Sequence, residues 1–256
     1  MLDSHLLLAF LLALGCQFIA WLWQFKYKNA DSVDVTWALS ISLIASYYLL
    51  TIEAPLANQL FVALFPVIWY TRLTIHLWLR LDKHHEDSRY QHLRAHWSEN
   101  TQGKFFLFFI FQAGLSFLFA MPAYWVMIAP VISVEALIVA AVWGVLCLLA
   151  VSVADWQLYQ FKTKTSNKGK VCDQGLWAYS RHPNYFFEWL HWWVYPIVLF
   201  PSVYFCWATM VVFIMLYFLL NLTGIPFSEQ QALKSRGGAY RAYQESTNAF
   251  ILWRKK

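Results

Sequence analysis

The sequence predicts an all-α, polytopic membrane bundle of about seven transmembrane helices, with the N-terminus outside and the C-terminus cytoplasmic. Three observations carry this reading. Sixty per cent of the 256 residues are hydrophobic and 13% are charged, against about 25% charged in an ordinary soluble domain, so a water-soluble fold of this size would lack a polar coat. The apolar residues gather in runs of about 20, the length that crosses a hydrocarbon core of roughly 30 Å as a helix. Finally, every Lys and Arg except Arg72 falls between or beyond those runs, in segments that a seven-span chain places on one side, as retention of basic residues on the cytoplasmic face requires.

The predicted spans run near 5–25, 33–52, 60–79, 105–128, 131–153, 184–200 and 203–222. The first resembles a secretion signal but lacks a basic n-region, so it is expected to remain as an uncleaved span. The loops near 53–59, 129 and 201 carry no Lys or Arg, as outer loops should. Inner segments 80–104, 161–183 and 223–256 are long enough to form a cap, and chemistry is expected there. No repeat or linker divides the chain, which reads as a single integral membrane domain over 1–256, with the first three spans and the inner loop after them in 1–104 and the remaining spans and tail in 105–256.

The net charge of +5 describes one face of the membrane protein rather than a nucleic-acid surface, since the basic residues abut spans and no nucleic-acid module is present. Membrane lipids or a phosphorylated cofactor fit that face better. His92 and His96 share a helical spacing, but no Cys or carboxylate completes a metal set, so no metal is expected.

Ionisable residues at bilayer depth are costly and mark functional candidates. Asp34 begins span two, Arg72 and His76 stand four apart in span three, Asp155 ends span five, and Glu188 and His191 lie near the start of span six. The i, i+4 spacing points Arg72 and His76 the same way, as into a pocket. The alternative is that Arg72 only pairs with Asp34 or Glu188 to tie helices together. Trp189, Trp192 and Trp193 fit an interfacial belt or an apolar ligand site equally well.

The densest polar cluster is Gly175-Leu176-Trp177-Ala178-Tyr179-Ser180-Arg181-His182-Pro183-Asn184-Tyr185-Phe186-Phe187-Glu188. Pro183 is suited to the first turn of a helix, which sets Asn184 and Glu188 one turn apart. Arg181 and His182 then precede a helix N-terminus, where dipole and cation together favour a phosphate or carboxylate. Upstream, Lys162, Lys164, Lys168 and Lys170 form a basic flap.

This cluster resembles the C-terminal signature of the steroid 5α-reductase superfamily, particularly its branch of uncharacterised bacterial membrane proteins. Asp34-Val35-Thr36-Trp37, the segment from Arg72 to Arg80 with Glu86-Asp87-Ser88-Arg89-Tyr90, and Gly224-Ile225-Pro226 through Ala239-Tyr240-Arg241-Ala242-Tyr243 extend the resemblance over most of the chain. It implies a seven-helix reductase holding NADPH on the cytoplasmic side, in a bacterial inner membrane, acting on a lipid or steroid-like substrate. The implied cofactor positions are Arg80, Asp155, Lys162, Lys170, Tyr179, Arg181, His182, Asn184, Glu188 and Tyr243. Asp34 and His76 fall at the positions that polarise the substrate carbonyl, with Arg72, Trp37 and Trp189 lining the substrate pocket. His76 stands where that family has a tyrosine.

Arg181-His182-Pro183-Asn184-Tyr185 also resembles the motif by which isoprenylcysteine and phospholipid methyltransferases contact S-adenosylmethionine. Glu229, Leu233, Tyr240 and Tyr243 resemble their tail, although Glu229-Gln230 stands where those enzymes commonly have paired Glu. The Gly175-Leu176-Trp177 lead-in and Glu188 favour the reductase. A non-catalytic lipid-binding protein is the third class, since a fold alone does not imply turnover.

Overall fold

The computed structural model describes residues 3–97 and 99–254. Met1, Leu2, Ser98 and the tail cations Lys255 and Lys256 lie outside the described residues. The chain is 78% helix, and the described residues include no strand. Among the described residues, six helices are long and apolar enough to cross a membrane.

Helix α1 (Ser4–Tyr27) starts where the Asp3 carboxylate accepts from the His5 amide at 2.9 Å. Its buried positions, Ala9, Ala13, Gln17, Ala20 and Gln24, recur every three or four residues and form one face. Leu11, Phe18 and Ile19 point outward. Small residues inside and large apolar ones outside invert the pattern of a water-soluble helix. They suit a helix whose neighbours approach closely and whose outer face meets hydrocarbon.

Helix α2 (Ser32–Thr51) follows, and then α3 (Leu56–Arg80). Within α3 the residues Ala63–Trp69 form a π-helical turn around Pro66, because proline has no N–H to donate and its ring displaces the preceding turn. A short polar helix α4 (Ser88–His96) precedes α5 (Thr101–Ile128) and α6 (Val134–Thr163). The predicted span at 184–200 consists of two short helices, α7 (Pro183–His191) and α8 (Val194–Leu199), broken at Trp192 and Trp193. Helix α9 (Phe205–Arg236) has a π-turn at Phe218–Leu222, and α10 (Gly238–Ser246) closes the helical part.

The chain divides into two compact units, Met1–Leu137 and Ile138–Lys256. The first unit extends through α5 because that helix packs against both α1 and α2. In the first unit α2 also packs on α3. In the second, α9 packs on α7, α8 and α10.

Asn58 shows how the first unit meets the demands of a dry interior. It is fully buried, and its amide donates to the carbonyl of Val126 at 2.8 Å while its own carbonyl accepts from the Ile132 amide at 3.0 Å. One side chain thus satisfies backbone groups that the end of α5 leaves without helical partners. Asn58→Ala is expected to destabilise the protein by about 2–3 kcal/mol, the cost of orphaning buried polar groups. Thermal unfolding in detergent checks this, and an unshifted midpoint would refute the role.

Candidate functional site

In the first unit the segment 82–94 is clamped onto the turn between α1 and α2 by a polar network. Asp34 receives the Arg89 guanidinium at 2.8 Å and the Tyr90 hydroxyl at 2.8 Å, one on each carboxylate oxygen. Glu86 accepts from the Ala30 amide at 2.8 Å and pairs with Arg94 at 2.7 Å. Asp31 accepts from the Asp87 amide at 2.8 Å, and Asn29 donates to the Asp82 carbonyl at 2.9 Å. Below this network Ala20, Val33, Tyr90, Phe105 and Phe109 form an apolar cluster, sealed at its edge by Trp21, Leu93 and Trp97. The clamp orders a loop that its composition alone would leave solvated.

The other predicted residues of this unit lie on α2 and α3. Trp37 packs edge-on against Tyr70 and Phe119, both at 5.9 Å between ring centres. Arg72 lies over the Trp69 ring at 4.9 Å. Arg72 and His76 are both half-buried, one turn apart on α3, and Arg80 is exposed at its end. Of the two residues expected to donate to a substrate carbonyl, Asp34 has both oxygens engaged as acceptors.

The second unit contains the 175–188 cluster. Gly175 has φ 58°, and a Cβ there would lie 2.5 Å from the end of the Gln157 side chain, so a larger residue would be strained and would displace Gln157. The Gln157 carbonyl oxygen accepts from the Leu176 amide at 2.9 Å, and Trp177 donates to the Ala154 carbonyl at 2.9 Å. Both contacts fasten the cluster to the last turns of α6. On its other side lies the chain end: the Arg181 amide donates to the Asn248 carbonyl at 2.8 Å, and the Trp253 amide to the Tyr179 carbonyl at 3.1 Å.

Glu229 is the hub of this assembly. It accepts from Arg181 at 2.6 Å, from the Gln244 amide at 2.7 Å, and faces His182 at 3.4 Å. The Arg181 and Glu229 side chains are only 10% and 15% exposed. Arg181 also donates to the backbone carbonyls of Gln244 and Thr247. Arg181 and His182, expected to meet an incoming anion, are therefore already directed at an internal one. Tyr243 is likewise inward, its hydroxyl donating to the carbonyls of Trp177 and Ser180. Burial pushes its ionisation well above the ordinary phenol range, so it remains a donor.

The remaining predicted residues lie on α6, α7 and the segment between them. Asn184 donates to Asp155 at 3.1 Å, and both are half-buried. Glu188 is half-buried one turn further along α7. Lys162, Lys170 and Tyr179 are exposed. Trp189 joins Trp143, Leu190, Trp193 and Ile197 in lining an apolar cavity of about 290 Å³. The indole N–H groups of Trp143 and Trp189 are spent on the carbonyls of Leu190 and Val212, so these walls offer a ligand apolar contact.

The family described as "Protein of unknown function (DUF1295)" matches residues 20–247. The chain belongs to this family. It is a steroid 5α-reductase-like family, and the match takes in Asp34, His76 and the whole 175–188 cluster. No curated protein and no solved structure matches the chain. Sequence reasoning noticed Glu229 but gave it no place in the site. The usable signal was Arg181 itself, since an arginine placed in a packed segment needs a buried counter-ion.

Two outcomes follow from these geometries. Glu229→Ala strands Arg181 without its anion and is expected to cost about 3 kcal/mol, read as a lower thermal midpoint, with Glu229→Gln milder; equal stability of all three proteins would refute the hub. In the first unit, burial raises the Asp31 carboxyl, the Asp87 amide opposes this, and the nearby Asp87, Asp34 and Glu86 carboxylates raise it further, to about 6. A raised carboxyl contributes its stability below its unfolded value, and that contribution is lost as pH rises through 6. Asp31→Asn is therefore expected to be more stable than the parent at pH 8, by about 1 kcal/mol after discounting solvent screening at a half-exposed site, and no more stable at about pH 3, below the ordinary carboxylate value. A gain at about pH 3 alone would reverse the sign and reject this account.

Proposed function

We propose that the protein is a membrane-embedded, NADPH-dependent reductase of a carbon–carbon double bond conjugated to a carbonyl, acting on a steroid-like or other lipid in the bacterial cell membrane. Membership of a steroid 5α-reductase-like family across residues 20–247 is the observation that carries the reading. The second unit supplies chemistry suited to such a cofactor. Exposed Lys162 and Lys170 offer cations for phosphate, exposed Tyr179 a flat face and a hydroxyl, and the Asp155–Asn184 pair with Glu188 offers the donors and acceptors that a carboxamide needs. Arg80 is a further exposed cation. Arg181, His182 and Tyr243 act as positioning residues, holding the segment that presents Tyr179 and Asn184.

When bound, NADPH supplies the hydride, which the reaction delivers to the β-carbon of the conjugated system. His76 donates a hydrogen bond to the substrate carbonyl and stabilises the enolate charge as it develops. A proton then completes the addition of two hydrogens across the double bond. An imidazole has an N–H to donate in either protonation state, whereas Asp34 would first have to give up the Arg89 and Tyr90 bonds. The absence of a Gly-rich dinucleotide fingerprint argues only against a Rossmann site. The apolar cavity beside Trp189 suits a hydrocarbon portion of the substrate.

The rival reading, an S-adenosylmethionine-dependent lipid methyltransferase, draws on the pairing of the Arg181-His182 segment with Glu229, since both segments resemble parts of those enzymes. The two readings separate in a binding experiment on the purified protein in detergent. NADPH at one hundred times its dissociation constant is expected to stabilise the protein by about 2.7 kcal/mol, and S-adenosylmethionine to leave the midpoint unchanged. Asn184→Ala and Glu188→Ala should lose the NADPH effect while melting near the parent without ligand. Stabilisation by S-adenosylmethionine alone would sink the reductase.

A further inference from the structure

The first unit holds a second cavity, of about 370 Å³, lined by Trp23, Trp78, Leu81, Asp82, Lys83 and His84. Trp23 stands one turn from the end of α1 and Trp78 in the last turn of α3, after which 81–84 leave the helix. The cavity thus sits where two spans end, at the level where hydrocarbon gives way to headgroups and tryptophan is favoured. Trp78 is 61% exposed and the adjoining Leu79 is 78% exposed. The Trp23 indole N–H, by contrast, is buried with no hydrogen-bond partner, although buried donors are nearly always paired.

The polar rim carries one acid and one base side by side. Asp82 accepts from the His84 amide at 2.9 Å and from the His85 ring at 3.0 Å, one on each oxygen. Its side chain remains 53% exposed, and each oxygen has capacity for a second donor. Lys83 is exposed beside it. An apolar wall of two indoles, an unsatisfied donor, a carboxylate and an ammonium together complement a molecule that has hydrocarbon, ester carbonyls, an anion and a cation.

We propose that this cavity binds a membrane phospholipid with a zwitterionic, primary-ammonium headgroup of the phosphoethanolamine type. The phosphate pairs with Lys83, the ammonium with Asp82 and the face of Trp78, and the glycerol esters supply the acceptor that the Trp23 N–H lacks. A quaternary ammonium has no N–H to give Asp82, and a purely anionic headgroup leaves Asp82 opposed to a like charge. The site is independent of the reductase reading, since none of its residues belongs to the cofactor or substrate set.

The full-length protein, delipidated in detergent, is titrated with dioleoyl phosphatidylethanolamine, phosphatidylglycerol, phosphatidylcholine and chain-free glycerophosphoethanolamine, with thermal midpoint and lipids retained in native mass spectrometry as readouts. Phosphatidylethanolamine is expected to raise the midpoint by about 3 °C more than either other phospholipid. Asp82→Asn keeps the bond to the His84 amide and should erase the preference over phosphatidylglycerol, while Lys83→Gln weakens retention of every phospholipid. Trp78→Ala, at an exposed position that folding does not require, should lower retention without changing the delipidated midpoint. Equal effects of phosphatidylethanolamine and phosphatidylcholine would overturn the ammonium–Asp82 pairing. Stabilisation by glycerophosphoethanolamine matching that by the intact lipid would overturn the membrane source, and variants that retain lipid like the parent would overturn the site.

Discussion

A hydrocarbon solvent gives no hydrogen bonds, and that constraint shapes most of this structure. Backbone and side-chain polar groups placed within the apolar spans must find partners inside the chain. Where helices run straight, the backbone satisfies itself, and the buried faces need only be small, as along α1 with Ala9, Ala13 and Ala20. Where helices end or break, single side chains take over. Asn58 closes the end of α5, Trp143 takes a carbonyl from the end of α7, and Gln24 bridges to Gln102 and Arg94.

The same economy explains the two polar assemblies. In the first unit a set of carboxylates would repel one another if left alone. Arg89, Arg94 and the Tyr90 hydroxyl convert them into a clamp that holds 82–94 over the turn between α1 and α2. In the second unit Glu229 gathers Arg181, His182 and Gln244, and Tyr243 supports the segment from the opposite side. Both assemblies work by fixing loop backbone, and in the second that fixed backbone presents Tyr179, Asn184 and Glu188.

The long spans were legible because hydrophobic length is a local signal, and six of the seven predicted runs coincide with long apolar helices. The run at 184–200 was legible as apolar but not as broken. Its break at Trp192 and Trp193 is a matter of packing in the second unit, where Trp192 is almost fully buried. The cluster at 175–188 was conspicuous by composition: its Gly175 has a positive φ, Pro183 begins α7 and Arg181 pairs with Glu229. What sequence reading did not reach was pairing at a distance. Glu229 lies 48 residues from Arg181 and Asp34 lies 55 from Arg89, and nothing in local periodicity joins them. Those pairings turn Arg181, His182 and Asp34 toward internal partners.

The central claim is a hydride transfer to a membrane lipid, and isotope transfer tests it most directly. Purified protein in nanodiscs made from the host's own lipids is incubated with NADPH carrying deuterium at C4 of the nicotinamide, and the lipids are analysed by mass spectrometry. The account predicts a lipid that gains two hydrogens, one of them deuterium bound to carbon, with His76→Phe abolishing the gain. No deuterium in any lipid, together with methyl transfer from labelled S-adenosylmethionine in the same membranes, would contradict it.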